Sequence, residues 1–432
     1  MPHPESQEFQ KIIQEERDAY AALKLPEYRL YLAARFLFTV AIQMQAVAVG
    51  WQVYEITKDS LSLGLVGLAE AIPSIAVALY AGHLADIHRR KQIILISLFV
   101  LLGCSLFLYF FLFLTPNFFQ SSGAFPIYTV IFISGIARGF LTPAVFGLFA
   151  EIVPRSLYAN AAAWSSTVWQ TAAISGPAAG GLVVGFLGLK SVYFLDSLLM
   201  ILSISMVFLI EPKIRTERNQ SESVFQSIRE GILFVFQNPI IISAISLDLF
   251  AVLFGGAVAL LPIFATDILN VGAEGLGILR ASPAIGAVVM AFWMAHHPPK
   301  ENAGKILLLA VAGFGLSMIG FALSSIFLLS CFLLLLSGAF DEISVVIRST
   351  VLQLSTPDHM RGRVSAVNNI FIGSSNEIGA FESGVAARLM GVIPSVIFGG
   401  GMTLFVVLVT AWKSKSIREL SLLNFRERKN SG

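Results

Sequence analysis

Long apolar runs separated by short polar breaks recur along the whole chain. A helix needs about 20 apolar residues to cross the hydrocarbon core of a bilayer. The pattern predicts twelve transmembrane helices, near 35–54, 62–84, 92–115, 126–150, 160–186, 189–211, 239–267, 273–296, 304–326, 328–355, 364–388 and 391–412. The breaks carry turn and charge signals, such as Thr57-Lys58-Asp59-Ser60 and His297-Pro298-Pro299-Lys300.

Composition supports a membrane protein and excludes several other classes. Of the 432 residues, 56% are hydrophobic and only 13% are charged, whereas a soluble domain carries about 25% charged residues. The net charge of +2 gives no reason to expect nucleic acid as a partner. Cys104 and Cys331 lie inside apolar runs, without the spacing of a metal site, so no metal and no cofactor are expected.

Basic residues alternate between loops and thereby predict the orientation. With the N-terminus inside, the cytoplasmic loops and tail hold nearly all of the lysines and arginines between helices. The opposite loops hold little more than Lys58 and Lys190, with Arg388 near a helix end. This asymmetry follows the positive-inside rule. It predicts a multi-pass protein of the cell (inner) membrane, embedded in the lipid bilayer, with both termini in the cytoplasm.

The longest polar stretch between helices divides the chain. The predicted organisation is a cytoplasmic N-terminal segment (1–34), a six-helix bundle (35–211), a cytoplasmic linker (212–238), a second six-helix bundle (239–412) and a cytoplasmic tail (413–432). Helical spacing of apolar residues also predicts a surface helix within 5–22, with a partly ordered tail as the alternative, and an amphipathic linker on the membrane surface.

The two halves repeat one another at nearly constant offsets. A shift of roughly 203 positions superposes Ser134-Gly135 on Ser337-Gly338, Pro154 on Pro357, Gly176 on Gly379 and Gly181 on Gly384. Glu70 and Arg280 each stand three residues before a proline in the second and eighth predicted helices. Duplicated halves related by an axis along the membrane normal are typical of transporters that alternate access around a midplane site.

Three segments resemble the major facilitator superfamily. The loop from Gly82 to Lys91 is similar to the signature loop of that superfamily, and Gly176-Pro177-Ala178-Ala179-Gly180-Gly181 is similar to its antiporter motif. The segment Thr356–Ala366 resembles the loop before helix eleven in the branch that includes enterobactin exporters. The resemblance implies an all-α polytopic fold of twelve helices in two pseudo-symmetric six-helix bundles. It also implies a monomer.

The resemblance assigns roles to two groups of residues. A cytoplasmic gating loop would comprise Gly82, Asp86, Arg89, Arg90, Arg361, Gly362 and Arg363, with Asp86 facing the start of the eleventh helix as a latch. Gly176, Pro177, Gly180 and Gly181 would bend or thin the fifth helix at a close crossing. Here Arg89 replaces a glycine that is usual in the family, and Ile87 replaces a basic residue. The alternatives are that the basic residues only fix topology and that the glycines serve generic packing.

Ionisable groups inside a membrane are costly and are therefore functional candidates. Because carboxyl groups in apolar surroundings can exchange protons near neutral pH, the proton-coupling candidates are, in falling order, Glu377, Asp341, Glu342 and Glu382. The cavity candidates are Gln43, Gln45, Gln52, Arg138, Asp248 and Arg348. Glu70 and Arg280 are predicted to form an outer-gate ion pair. The alternative for the four proton-coupling candidates is that they form internal salt bridges with Arg138 and Arg348. Asp196 and Glu151 lie nearer helix ends and are interpreted as interfacial charges.

The leading functional hypothesis is a secondary active transporter that exports an organic small molecule, a siderophore or a drug-like metabolite, in exchange for protons by alternating access. One alternative is proton-coupled uptake of a nutrient or lipid derivative on the same fold. Another is a non-transporting membrane receptor or an intramembrane enzyme. No Gly-x-x-x-x-Gly-Lys loop occurs, and the acids show no paired catalytic spacing, so the protein is not expected to be an enzyme.

Overall fold

The computed structural model describes residues 20–114, 123–154, 157–211, 224–255, 257–297, 299, 301–357 and 360–421. Within these ranges every regular element is helical, and twelve long helices follow one another. They are α1 (Pro26–Thr57), α2 (Ser60–Ile87), α3 (Arg90–Leu114), α4 (Phe125–Ile152), α5 (Tyr158–Leu187), α6 (Leu189–Leu209), α7 (Pro239–Ile268), α8 (Gly272–His296), α9 (Ala303–Leu323), α10 (Phe327–Ser355), α11 (Arg361–Met390) and α12 (Val392–Lys413). A linker helix (Val224–Gln237) joins the halves, and short helices occupy Ala22–Lys24 and Lys415–Arg418.

The predicted fold class is confirmed, and α1 begins well before its predicted start. Helix α1 begins at Pro26, so part of the predicted N-terminal segment is helical. Proline suits the first helical turn because its fixed φ matches the helix and its missing donor is not needed there. Tyr28 is fully buried, and its ring lies 6.2 Å from that of Phe149. The extension packs against protein rather than lipid, which explains why hydropathy missed it. Residues 5–19 of the predicted surface helix lie outside the described part.

Helix pairing repeats from one half to the other. In the first half (α1–α6), α1 packs on α5 and α6, α2 on α4, and α3 on α4 and α6. In the second half (α7–α12), each of these pairings recurs six helices later: α7 with α11 and α12, α8 with α10, and α9 with α10 and α12. Gly135 packs against Pro73, and its counterpart Gly338 packs against Pro283. The two six-helix bundles are therefore pseudo-symmetric.

Helix α7 is broken, in contrast to its counterpart α1. Its first segment, Pro239–Phe254, ends at Gly255. A 3₁₀ turn (Ala257–Leu260) and a π turn (Phe264–Ile268) follow. Discontinuous helices near the centre of transporter folds expose backbone groups where ligands bind or helices bend.

Apolar composition alone identifies eleven of the twelve long helices as membrane spans within the described residues. Helix α11 is too polar to qualify, and its counterpart α5 has the lowest hydropathy of the eleven. The two helices occupy equivalent positions in the repeat. Their shared polarity indicates that both face water rather than lipid for part of their length.

Candidate transport pathway

Exposed polar side chains mark the space between the two halves. Ser166, Thr167 and Thr171 are exposed on α5, as is Asn376 on α11. Asp341 is exposed at the middle of α10. Polar groups that face hydrocarbon are unfavourable, so we assign these surfaces to a central water-filled cavity.

The two halves meet at the end of the bundle opposite the termini, here called the distal end. Tyr54 at the end of α1 donates a hydrogen bond to Asp267 at the end of α7. Arg388 of α11 forms an ion pair with Asp59, the N-cap of α2. The Ser60 hydroxyl donates to the Gly384 carbonyl over 3.4 Å. These contacts between halves are named the distal closure.

Glycines allow the helices of the distal closure to touch backbone to backbone. A Cβ atom added at Gly181 of α5 would lie 3.0 Å from the Cα atom of Gly277 on α8. A Cβ atom added at Gly64 of α2 would lie 3.2 Å from the Cα atom of Gly384 on α11. Both pairs cross between halves. Bulk at these positions would therefore push the halves apart.

Replacing Gly181 with Val should open the distal closure, because the added carbons meet the backbone of α8. The measurement is the distance distribution between spin labels at Lys58→Cys and Leu389→Cys, both exposed, with Cys104 and Cys331 replaced by Ser. The matched control is Gly103→Val on α3, where an added Cβ meets no atom within 4 Å. An unchanged short distance in the Gly181→Val protein would contradict the packing argument.

The Asp59–Arg388 ion pair should support closure throughout the neutral range. Burial opposes the Asp59 charge, but hydrogen bonds from Ser62 and the nearby Arg388 outweigh it and hold the pKa of Asp59 below its usual value. A lowered pKa in the closed state means that stabilisation is present at neutral pH and is lost only as pH falls through that lowered value. Asp59→Asn should weaken closure by less than about 1 kcal/mol, because the Arg388 side chain is 63% exposed. The distance between the spin labels at Lys58→Cys and Leu389→Cys, measured from pH 8 to acidic pH, tests this expectation.

The glycine motif of α5 has two packing faces. Added Cβ atoms at Gly176 and Gly180 would lie 2.6 Å from the Gln43 Cβ atom and 2.8 Å from the Met44 Cα atom, both on α1. Gly181 faces α8 instead. The helix continues through Pro177. The motif thus joins α5 to its own half and to the other half, while its role in antiport stays a prediction.

Two buried ion pairs lie within the halves. Arg138 of α4 pairs with Glu70 of α2, and Arg348 of α10 pairs with Asp248 of α7. The side chains are at most 17% exposed. The structure therefore gives Glu70 a different partner from Arg280, the partner predicted for the outer gate. The reason is packing: α2 lies on α4, whereas α8 lies on α10 and α5.

Glu377 of α11 lies where the two halves meet. A Cβ atom added at Gly67 of α2 would lie 3.2 Å from the Glu377 Oε2 atom. Glu377 also interacts electrostatically with Arg138. This carboxyl group of the second half therefore faces the Glu70–Arg138 pair of the first half.

The remaining carboxyl candidates are distributed over two helices. Glu342 is buried beside Asp341 on α10, and Glu382 is half-buried on α11. Within the described part of the chain, Asp341, Glu342 and Glu382 form no salt bridge.

Gln45 and Gln52, predicted to line the cavity, point elsewhere. Gln45 donates to Ser105 of α3 over 2.9 Å and lies 3.4 Å from the Asp196 carboxylate of α6. Gln52 accepts a 2.7 Å bond from Tyr193. Both glutamines are 2% exposed. The prediction is therefore corrected for these two: they link α1 to α3 and α6, behind the face that meets the second half. Gln43 instead packs against Gly176 of α5.

Asp196 is a buried group that sequence reasoning misplaced. It is 0% exposed and accepts a hydrogen bond from Ser105, so it is not an interfacial charge. Its nearness to the predicted helix end suggested an interface, but Ser105 of α3 and Gln45 of α1 contact it inside the bundle. The nearby polar positions on two other helices gave no sequence signal of their contact. Glu151, by contrast, does lie at the end of α4.

The gating loop is described in part. Arg90 donates to the Gly147 carbonyl over 2.9 Å and lies 3.1 Å from Glu151, so it fastens the loop to α4. Arg89 is exposed, and Gly82 is half-buried in α2. The structure does not describe the side chains of Asp86, Arg361 and Arg363, and Gly362 lies in the first turn of α11. The latch between Asp86 and the start of α11 stays a prediction.

Known proteins place this architecture among transporters. The enterobactin exporter EntS of Shigella dysenteriae serotype 1 is 24% identical over 394 residues, covering 89% of this chain and 92% of that protein. The solved structure of a D-xylose-proton symporter has a TM-score of 0.69 at 14% identity, covering 91% and 99% of the two chains. The solved structure of the nucleoside transporter NupG has a TM-score of 0.63 at 13% identity, covering 90% and 99% of the two chains.

These two solved structures have the fold of major facilitator transporters, which agrees with the helix pairing described above. A family model described as transmembrane secretion effector matches residues 17–427, nearly the whole sequence. The protein is thus a multi-pass membrane transporter rather than an enzyme, and it belongs to the transmembrane secretion effector family of the major facilitator superfamily.

Proposed function

We propose that this protein exports an organic small molecule in exchange for protons, with Glu377 as the coupling carboxyl group. The observation that carries the proposal is the position of Glu377 between the halves, facing the Glu70–Arg138 ion pair. The attraction between Glu377 and Arg138 depends both on the charge of Glu377 and on the separation of the halves.

An exchanger must change conformation when loaded with either partner, but not when empty. Ionised Glu377 attracts Arg138 across the distal closure and thereby stabilises it. A proton on Glu377 removes that attraction, and a bound substrate that engages Arg138 or Glu377 weakens it. Either ligand therefore permits the closure to open, while the empty, unprotonated protein stays closed. This rule couples the two flows.

Relatives support the direction of transport. The family is described as a transmembrane secretion effector, and similar proteins that cover most of the chain are named enterobactin exporters. We therefore propose a siderophore or a drug-like metabolite as the cargo, and a monomer in the inner membrane with both termini in the cytoplasm. In that orientation the distal closure seals the outer side, and the cavity opens to the cytoplasm, where an exporter loads.

Comparing metabolites in medium and cells, with and without the gene, tests the function. We expect one compound to disappear from the medium of the deletion strain and to accumulate in its cells, with reversal on complementation. A compound that instead stays in the medium because the deletion strain cannot take it up would overturn export.

A further inference from the structure

The repeat places a second charge pair in the other half, with the charges exchanged. In the first half, Glu70 of α2 pairs with Arg138 of α4. The equivalent positions are Arg280 of α8 and Asp341 of α10, at offsets of 210 and 203 residues. The crossing of Gly338 with Pro283 reproduces that of Gly135 with Pro73, so the backbones match as well.

Within the described residues, the equivalent residues of the second half do not form an ion pair. The Arg280 Nε atom is buried without a hydrogen-bond partner, and Arg280 forms no salt bridge within the described residues. Asp341 is exposed to the cavity instead of contacting Arg280. The same backbone arrangement therefore holds a closed ion pair in one half and two separated charges in the other.

A guanidinium deep in a membrane protein needs an anion. Burial of an uncompensated charge is strongly unfavourable, and arginine presents donors that match a carboxylate in a bidentate manner. A Cβ atom added at Gly181 of α5 would lie 3.0 Å from the Arg280 Cβ atom. A glycine at this position offers Arg280 no acidic side chain. Arg280 is thus partly exposed next to the distal closure, and no counter-ion pairs with it within the described residues.

We propose that Arg280 binds an anionic oxygen group of the transported molecule, and that Asp341 sets the strength of this binding by repulsion. The cargo is then an organic anion with a carboxylate or a similar planar anionic group. This inference rests on the proposed function, because it specifies the substrate class of the same cavity. A bound anion would sit beneath the contact between α5 and α8, which must separate for release.

Three probes of one size and different charge test the proposal: benzoate, benzamide and benzylamine. Binding to the purified protein in detergent is measured by isothermal titration calorimetry at neutral pH. We expect saturable binding of benzoate at least about tenfold tighter than that of benzamide or benzylamine, the difference that one charge-assisted hydrogen bond supplies. Equal affinity for the three probes, or no saturable binding of benzoate, would overturn the proposal.

Variants assign the preference to the two residues. Arg280→Gln should remove the preference for benzoate over benzamide, whereas Asp341→Asn should tighten benzoate binding severalfold. Lys413→Gln is the matched control, because it removes one positive charge from an exposed site at the end of α12. A role of Arg280 in packing alone would lower all affinities together and would not predict tighter binding in Asp341→Asn. An equal loss of affinity for all three probes in Arg280→Gln, or no tightening of benzoate binding in Asp341→Asn, would overturn the assignment.

These outcomes are separate from those of the export experiment. An exported compound that is neutral or cationic would overturn the anion site and leave export standing. Charge-selective binding of benzoate in a protein that imports its substrate would support the site and overturn only the direction.

Discussion

Replacing Glu377 with Gln should abolish export driven by a pH gradient while leaving the protein folded. Glutamine keeps the shape and hydrogen-bonding capacity of the protonated side chain but cannot release a proton. The attraction to Arg138 across the distal closure is then absent at every pH, so the empty protein opens as readily as the loaded one. We expect at least about a tenfold loss of gradient-driven transport, the scale of a coupling free energy above about 1.4 kcal/mol.

The measurement is substrate efflux from cells or proteoliposomes with and without an imposed proton gradient. Substrate exchange in the absence of a gradient should persist in Glu377→Gln, because the pathway itself is intact. Glu274→Gln is a suitable control, since Glu274 is exposed near the start of α8. Export by Glu377→Gln with full dependence on the gradient would remove this residue from the mechanism.

Replacing Arg138 with Met should destabilise the protein far more than removing both members of its ion pair. The single change leaves the Glu70 carboxylate without its partner in a site where both side chains are at most 17% exposed. Breaking a buried pair from one side costs about 3–5 kcal/mol, whereas neutralising both partners is often nearly neutral. The Glu70→Gln/Arg138→Met double variant should therefore recover most of the stability.

Thermal unfolding in detergent, followed for the single and double variants, checks this expectation. The exposed Arg388–Asp59 pair provides the comparison, and Arg388→Met should change stability by less than about 1 kcal/mol. Similar losses in Arg138→Met and in the double variant would show that packing of the arginine side chain, rather than its charge, holds α2 to α4. The same design applies to Arg348 and Asp248.

Helix number and order could be read from the sequence because lipid imposes one simple rule on the exposed faces. A span must be long and apolar, and its ends must carry turns or charges. The repeat offset then predicted which helices are equivalent, and the pairing of α1–α6 and α7–α12 confirms it. The early start of α1 was missed because Tyr28 is buried by neighbouring helices rather than by lipid.

The partners of the polar residues could not be predicted in the same way. Glu70 and Arg280 are equivalent in the repeat, yet which charge each one meets depends on the rotation of α2 and α8 about their axes. Gln45 and Asp196 belong to helices far apart in sequence, and a hydropathy pattern says only that both are inside. Hydrogen-bond geometry is set by packing between helices, which single-sequence patterns do not encode.

The break in α7 makes the two halves mechanically unequal. A continuous α-helix such as α1 transmits a push along its length, because every turn is held by the same hydrogen-bond register. In α7 that register changes in the 3₁₀ turn (Ala257–Leu260) and again in the π turn, so no single hydrogen-bond register joins the terminal piece carrying Asp267 to Pro239–Phe254. Opening would then move α1 as one rigid helix in the first half, whereas α7 in the second half would bend at its break.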